Sequence, residues 1–203
     1  MSKKNIAIIT IVLAILIDQI SKIYVKTHFR LFESYEIFDW FQIQFVENNG
    51  MAMGIEFGGS IGKLFLTLFR LLVVPVIIYW LVTTLKKNMP TVVVVAIALI
   101  FSGAIGNIID SVFYGVIFDT PQQGVATLFA EQPYGSLFHG KVVDMFYFPI
   151  IQNATWPSWI PIIGGDTFSF FPYIFNMADA YITAGVILLF IFSKKAFPKE
   201  AKA

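Results

Sequence analysis

Four stretches of the chain are apolar and long enough to read as membrane-spanning helices: residues about 5–25, 64–85, 90–111 and 170–193. A span needs about 20 mainly apolar residues. Residues 88–109 carry no charge, and at 1.5 Å per residue such a run covers about 33 Å, enough for the hydrocarbon core. Between the spans the pattern changes. Phe41-Gln42-Ile43-Gln44-Phe45 alternates with period two, which predicts a half-buried strand, and Glu47-Asn48-Asn49-Gly50 after it predicts a turn. The pattern therefore predicts one integral membrane domain over residues 1–203, all-α in class. It has four transmembrane helices, a small extracytoplasmic β region, and extended outer loops at about 26–63 and 112–169.

Charge fixes an expected orientation. Lys3 and Lys4 precede the first span, Lys86 and Lys87 join the second to the third, and Lys194, Lys195, Lys199 and Lys202 follow the fourth. All eight fall on one side of a four-span topology, which places both termini in the cytoplasm. The first span ends in Leu16-Ile17-Asp18-Gln19-Ile20-Ser21-Lys22, with no small-residue cleavage site, so it is expected to be retained. Composition agrees with a membrane protein: 57% of residues are hydrophobic and only 13% charged. The absence of cysteine excludes disulfide scaffolds, thiolate metal sites and a cysteine nucleophile. Two distant histidines argue against a histidine-rich metal site, and a net charge of +1 gives no reason to expect nucleic acid.

Ionisable residues inside spans are costly and need a partner, a wet cavity or a function. Asp18 follows 13 uncharged residues, Arg70 precedes 15, and Asp179 precedes 14 before the next lysine. Each therefore sits roughly 20–22 Å from the cytoplasmic boundary, near the outer face. Asp110 closes the third span. One shallow layer of charge over bare inner helices suits a site open to the outer face better than a transport path. Taken singly, each of these charges reads equally well as part of a structural ion cluster.

Five short motifs occur in order along the chain: Asp18-Gln19 with Lys22, Asn48-Asn49-Gly50-Met51-Ala52, Gly106-Asn107-Ile108-Ile109-Asp110, Val142-Val143-Asp144-Met145-Phe146, and Phe175-Asn176-Met177-Ala178-Asp179. Together, on this helix pattern, they resemble lipoprotein signal peptidase (signal peptidase II), a family of bacterial membrane aspartyl proteases, over essentially the whole chain. The resemblance implies cleavage of prolipoproteins just before a diacylglyceryl-modified cysteine by a dyad of Asp144 and Asp179. It implies site-shaping or substrate-contacting roles for Asp18, Asn48, Gly50, Asn107, Asp110 and Asn176. It also implies a multi-pass protein of the bacterial inner (cytoplasmic) membrane with its site near the periplasmic face. The partners expected are the lipidated precursor and membrane lipids, with a monomeric enzyme and no metal or cofactor. Three features depart from the family pattern. Ser111 stands where the family has arginine after G-N-x-x-D, with Arg70 the candidate to replace it. Met145 separates Asp144 from Phe146. The connections around Asp144 are long, 34 positions from Asp110 and 35 to Asp179, which marks residues near 115–138 and 150–168 as insertions.

Two carboxylates held close together cannot both ionise cheaply, so they share a proton; one activates water while the other donates. The strand with Trp40 is expected as a cradle at the interface, and the insertion at 150–168 as a lid. Three rival readings stand beside the dyad. Ser60-Ile61-Gly62-Lys63 fits S-x-x-K, a serine–lysine pattern, although Ser60 as a helix cap with Lys63 snorkelling to the interface is the plainer reading. A small transporter or ion-coupled channel using Asp18, Asp110 and Asp179 is the second. A purely structural or assembly subunit, in which Asp144 and Asp179 serve stability alone, is the third. Ala98, Ser102 and Gly106, with Ala180 and Ala184, read as close helix-packing faces, and His139 as a surface residue.

Overall fold

The computed structural model describes residues 1–50 and 59–197. Met51 and Ala52 of the second motif, and Lys199, Glu200 and Lys202, lie outside the described residues. Helix α1 (Lys3–His28) starts at Ser2, whose hydroxyl accepts the Asn5 N–H. Helix α2 is Gly59–Lys86 and helix α3 Thr91–Ile117, and with α1 they are long and apolar enough to cross a bilayer. Helix α4 (Met177–Ile191) has 15 residues and is shorter than the span expected at 170–193. Pro172 disfavours an earlier helical start, and the Asn176 side chain caps the helix where it does begin. Helix α3 instead runs six residues beyond the expected end at 111, through a wide π turn at Asp110–Tyr114. Asp110 does not mark a solvated boundary, because its carboxylate is satisfied inside the protein.

The helices pack through small residues. A Cβ at Gly103 would lie 2.2 Å from the Ala178 carbonyl oxygen, and one at Gly185 would lie 2.6 Å from that of Ala96. Ala98, Ser102 and Gly106 are buried on α3 as expected. On α4 the packing face is Ala178, Gly185 and Leu189 rather than Ala180 and Ala184: Ala184 is exposed and Ala180 half-buried. The close approach at Gly185 sets that rotation. At the far end of the bundle Lys3 Nζ donates to the Asn88 carbonyl (2.9 Å) and side-chain oxygen (2.7 Å), beside Lys86 and Lys87.

Between the helices lie six strands among the described residues, more β structure than an all-α class allows for. Strands β1 (Ser34–Phe38), β2 (Phe41–Asn48), β3 (Val142–Tyr147) and β6 (Ile174–Phe175) form one antiparallel sheet in the order β1-β2-β3-β6. The strand expected at 41–45 is there and continues to Asn48. Strands β4 (Ile151–Thr155) and β5 (Thr167–Phe170) make a separate hairpin within the second insertion, closed by stacking of Trp156 on Phe168. Two registers matter for the site: Val46 opposite Asp144 in β2/β3, and Phe146 opposite Phe175 in β3/β6. They bring the middle of β3 beside the residue that caps α4.

Candidate active site

The N-terminus of α4 is built by a capping box. Asn176 Oδ1 accepts the Asp179 N–H (3.0 Å), and the Asp179 carboxylate faces the Asn176 N–H in return. The four-residue spacing of Asn176-Met177-Ala178-Asp179 thus holds the Asp179 carboxyl at the positive end of the helix. Asp179 Oδ1 also accepts from Asn107 Nδ2 of α3 at 2.8 Å. Asp144, on β3, is 4% exposed. Its Oδ1 accepts from Asn176 Nδ2 (2.6 Å) and its Oδ2 from Asn48 Nδ2 (3.1 Å). The second hydrogen of Asn176 Nδ2 reaches Asn107 Oδ1 at 3.2 Å. Two amides therefore connect the two carboxylates in the order Asp144, Asn176, Asn107, Asp179. Burial, reinforced by the negative charge of Asp179, pushes the Asp144 carboxyl up to about 7, against the pull of Asn48, Lys22 and Asn176.

A second layer supports this chain of amides. Lys22 Nζ, fully buried on α1, contacts Asp18 Oδ2 (3.1 Å), Asp110 Oδ2 (2.8 Å) and Asn107 Oδ1 (2.9 Å). Gln19 Nε2 donates to both Asp18 and Asp110 at 3.0 Å, and Tyr114 Oη donates to Gln19 Oε1 at 3.2 Å. A Cβ at Gly106 would meet Asp18 Oδ2 at 2.4 Å, so this helix position must stay bare.

Helix α2 contributes cations from the opposite side. Lys63 is buried rather than snorkelling: its Nζ donates to Ser111 Oγ at 3.1 Å. Ser111, at the position where the family carries arginine, is thus bonded to Lys63, while Arg70 reaches Gly50 instead. Ser60 lies exposed within α2 rather than capping it, so the S-x-x-K pair is not a serine–lysine couple. Arg70 Nη2 donates to the Gly50 carbonyl at 2.6 Å. Gly50 adopts φ +88°, with its N–H on Asn48 Oδ1 at 2.7 Å, a turn that favours glycine.

All eight residues nominated from the sequence, Asp18, Asn48, Gly50, Asn107, Asp110, Asp144, Asn176 and Asp179, thus meet at one place. His139 does not join them; its ring contacts Ser136 and the Leu137 carbonyl. Sequence reasoning missed Tyr114, the burial of Lys63, and a second ionic knot, Lys26–Glu47–Lys141, in which the Lys26 ammonium lies over the Phe45, Phe118 and Tyr134 rings. One signal was available: Lys22 and Lys26 follow Asp18 at intervals of four, on one helical face.

The family model of Signal peptidase (SPase) II matches residues 10–195. The lipoprotein signal peptidase of Porphyromonas gingivalis is 49% identical over 183 residues, covering 89% of this chain and 79% of that protein. That of Amoebophilus asiaticus is 34% identical, covering 91% and 75%. A bacterial membrane enzyme solved by the in meso method at 2.3 Å resolution superposes with a TM-score of 0.59 at 26% identity, covering 98% of this chain and 94% of that one. The chain belongs to the signal peptidase II family.

Proposed function

We propose that this aspartic-type membrane protease removes the signal peptide of prolipoproteins by cutting before a diacylglyceryl-modified cysteine, with Asp144 and Asp179 as the catalytic dyad. The observation that carries the reading is the amide bridge Asp144–Asn176–Asn107–Asp179, which ties two carboxyls from different elements into one hydrogen-bonded unit. The ionised member takes a proton from water as it attacks the scissile carbonyl. The protonated member donates to the carbonyl oxygen, and the proton then passes to the leaving amine. The titration belongs to the pair, so neither role is assigned to one residue.

Charge balance supports a shared proton. Among the described residues, Lys22, Lys63 and Arg70 stand against Asp18, Asp110, Asp144 and Asp179. One proton on the dyad leaves the group neutral, whereas two ionised aspartates leave a buried negative charge, which is costly. The topology that fits this reading has four spans, α4 with its following turn being the fourth, both termini in the cytoplasm of a bacterium, and the dyad near the periplasmic face. The scissile bond of a lipid-anchored cysteine lies close to that interface, with its acyl chains in the hydrocarbon. The enzyme acts as a monomer, with lipid and precursor as its partners. Site-shaping falls to Asp18, Asn48, Gly50, Asn107, Asp110 and Asn176.

The test is cleavage of a lipidated precursor by wild type, Asp144→Asn and Asp179→Asn, with an unlipidated control. Folded but inactive variants and an uncleaved control are expected. Full turnover by either variant would refute the dyad.

A further inference from the structure

Arg70 enters the site from α2, which carries neither dyad residue. Its guanidinium stays protonated and offers five donors in a rigid fork. Nη2 is used on the Gly50 carbonyl. Nη1 is buried and is the one buried side-chain nitrogen or oxygen without a hydrogen-bond partner among the described residues. No carboxylate lies within ion-pair distance of it among those residues either, and its neighbouring charged group is another cation, Lys63. Leaving a charged donor buried and unsatisfied is unfavourable, so its retention points to an acceptor supplied from outside the chain.

The surroundings say where that acceptor lies. Arg70 is anchored to Gly50, the Gly50 N–H to Asn48 Oδ1, and Asn48 Nδ2 to Asp144 Oδ2. The guanidinium is thus held through two residues to a dyad carboxylate. A Cβ at Gly50 would lie 2.9 Å from Nη1, so a side chain there would push the tip of the guanidinium aside. Lys63 Nζ lies beside it, 3.4 Å from the same Cβ position, and donates to Ser111 Oγ.

We propose that Arg70 Nη1 binds a carbonyl oxygen of the lipidated peptide as it lies across Asp144 and Asp179, making Arg70 a substrate-binding residue of this chain. The inference rests on the dyad reading. Two carbonyl sources share this chemistry, the peptide backbone beside the scissile bond and the ester groups of the diacylglyceryl chain.

The experiment measures kcat and KM for wild type, Arg70→Lys, Arg70→Gln and Asp144→Asn on a lipidated precursor peptide, and on the same peptide carrying ether-linked chains. Folding is checked by thermal unfolding in detergent. Both Arg70 variants are expected to raise KM roughly 10- to 100-fold, the usual effect of losing a hydrogen bond to a charged group, with a smaller change in kcat. Arg70→Gln also shifts the alkaline limb of the pH–rate profile upward, since removing a cation near carboxylates favours their protonated form; Arg70→Lys leaves it in place. The groups facing the dyad in that comparison are Asp18 and Lys22 of α1, Lys63 of α2 and Asp110 of α3. A penalty that persists with the ether substrate assigns the peptide carbonyl, and one confined to the ester substrate assigns the lipid. Wild-type KM in a folded Arg70→Lys protein, whatever becomes of Arg70→Gln, overturns the inference. Activity in Asp144→Asn instead overturns the dyad reading beneath it.

Discussion

Asp18 Oδ1 accepts the backbone N–H of Ala178 at 2.9 Å, one residue ahead of Asp179. Asp110 Oδ2 accepts the backbone N–H of Val143 at 3.3 Å, one residue ahead of Asp144. Lys22 binds both acceptors. One ammonium on α1 therefore fixes the two peptides that precede the two candidate catalytic carboxyls, and the buried charges carry geometry from α1 to β3 and α4.

Lys22→Met tests this directly. It leaves Asp18 and Asp110 buried without their common cation, and breaking a buried pair in this way costs about 3–5 kcal/mol. Thermal unfolding in detergent should show that loss, and cleavage should fall to background. Asp18→Asn is expected to be milder, because its amide oxygen still accepts the Ala178 N–H. It should retain the fold and lose roughly tenfold in rate, in line with one charge-assisted bond weakened.

The pH dependence follows from Asp144. Its carboxyl is pushed up to about 7 by burial and by Asp179, and the dyad works with one proton. Turnover should therefore fall as pH rises through about 7, where the second proton leaves. Stability carries the same sign. The folded state holds the Asp144 proton more tightly than the unfolded chain, so this group's contribution is complete below about pH 4, near the ordinary aspartate value, and is lost as pH rises towards 7. Asp144→Asn, a permanently neutral mimic, should gain stability relative to wild type across that interval while remaining inactive. Unfolding of both proteins at pH 4, 6 and 8 checks it.

The candidate site was legible because polar residues inside apolar runs stand out: Asp18, Asn107, Asp110 and Asp179 interrupt long hydrophobic stretches, and the motifs around Asp144 and Asn176 completed the set. The helices α1 to α3 were legible from length and apolarity alone. What was hidden depends on tertiary contact. The length of α3 was hidden because a charge normally ends a span, and Asp110 looks solvated until Lys22 is placed against it. Strand β3 was hidden because Asp144 breaks the apolar run that its β-branched neighbours begin. The start of α4 was misplaced because Phe170–Phe175 is as apolar as a helix, and only the cap at Asn176 separates the two. Lys63 was misread because snorkelling is the cheaper fate for an exposed lysine, and the burial of this one depends on Ser111, 48 positions away.

Close packing at Gly103 gives a structural prediction. A Cβ there meets the Ala178 carbonyl, a backbone atom that cannot rotate away. Gly103→Ala should push the start of α4 off α3 and carry Asp179 with it. A displacement of about 1 Å at a catalytic group costs on the order of 100-fold in rate. Ala184→Leu, on the exposed side of α4, should leave cleavage unchanged. Comparable losses in both variants would show that the packing face is rotated from the one described.

Asn176 combines two roles that one pair of substitutions separates. Its Oδ1 caps α4, and its Nδ2 donates to Asp144 and Asn107. Asn176→Ala removes both, and loss of the cap alone costs about 0.5–2 kcal/mol. Asn176→Asp keeps a good cap, since aspartate accepts the Asp179 N–H as well as asparagine does, but it replaces the donor towards Asp144 with an acceptor. Its rate should fall at least as far as that of Asn176→Ala, and its unfolding temperature at pH 7 should fall further, because a buried carboxylate then faces the acceptors Asp144 Oδ1 and Asn107 Oδ1. The added negative charge and the lost donor both favour the protonated form of Asp144, so whatever activity remains in Asn176→Asp should persist to higher pH than in wild type. Equal losses of stability in the two variants, with no movement of the alkaline limb, would mean that Asn176 acts on the dyad only through the helix it caps.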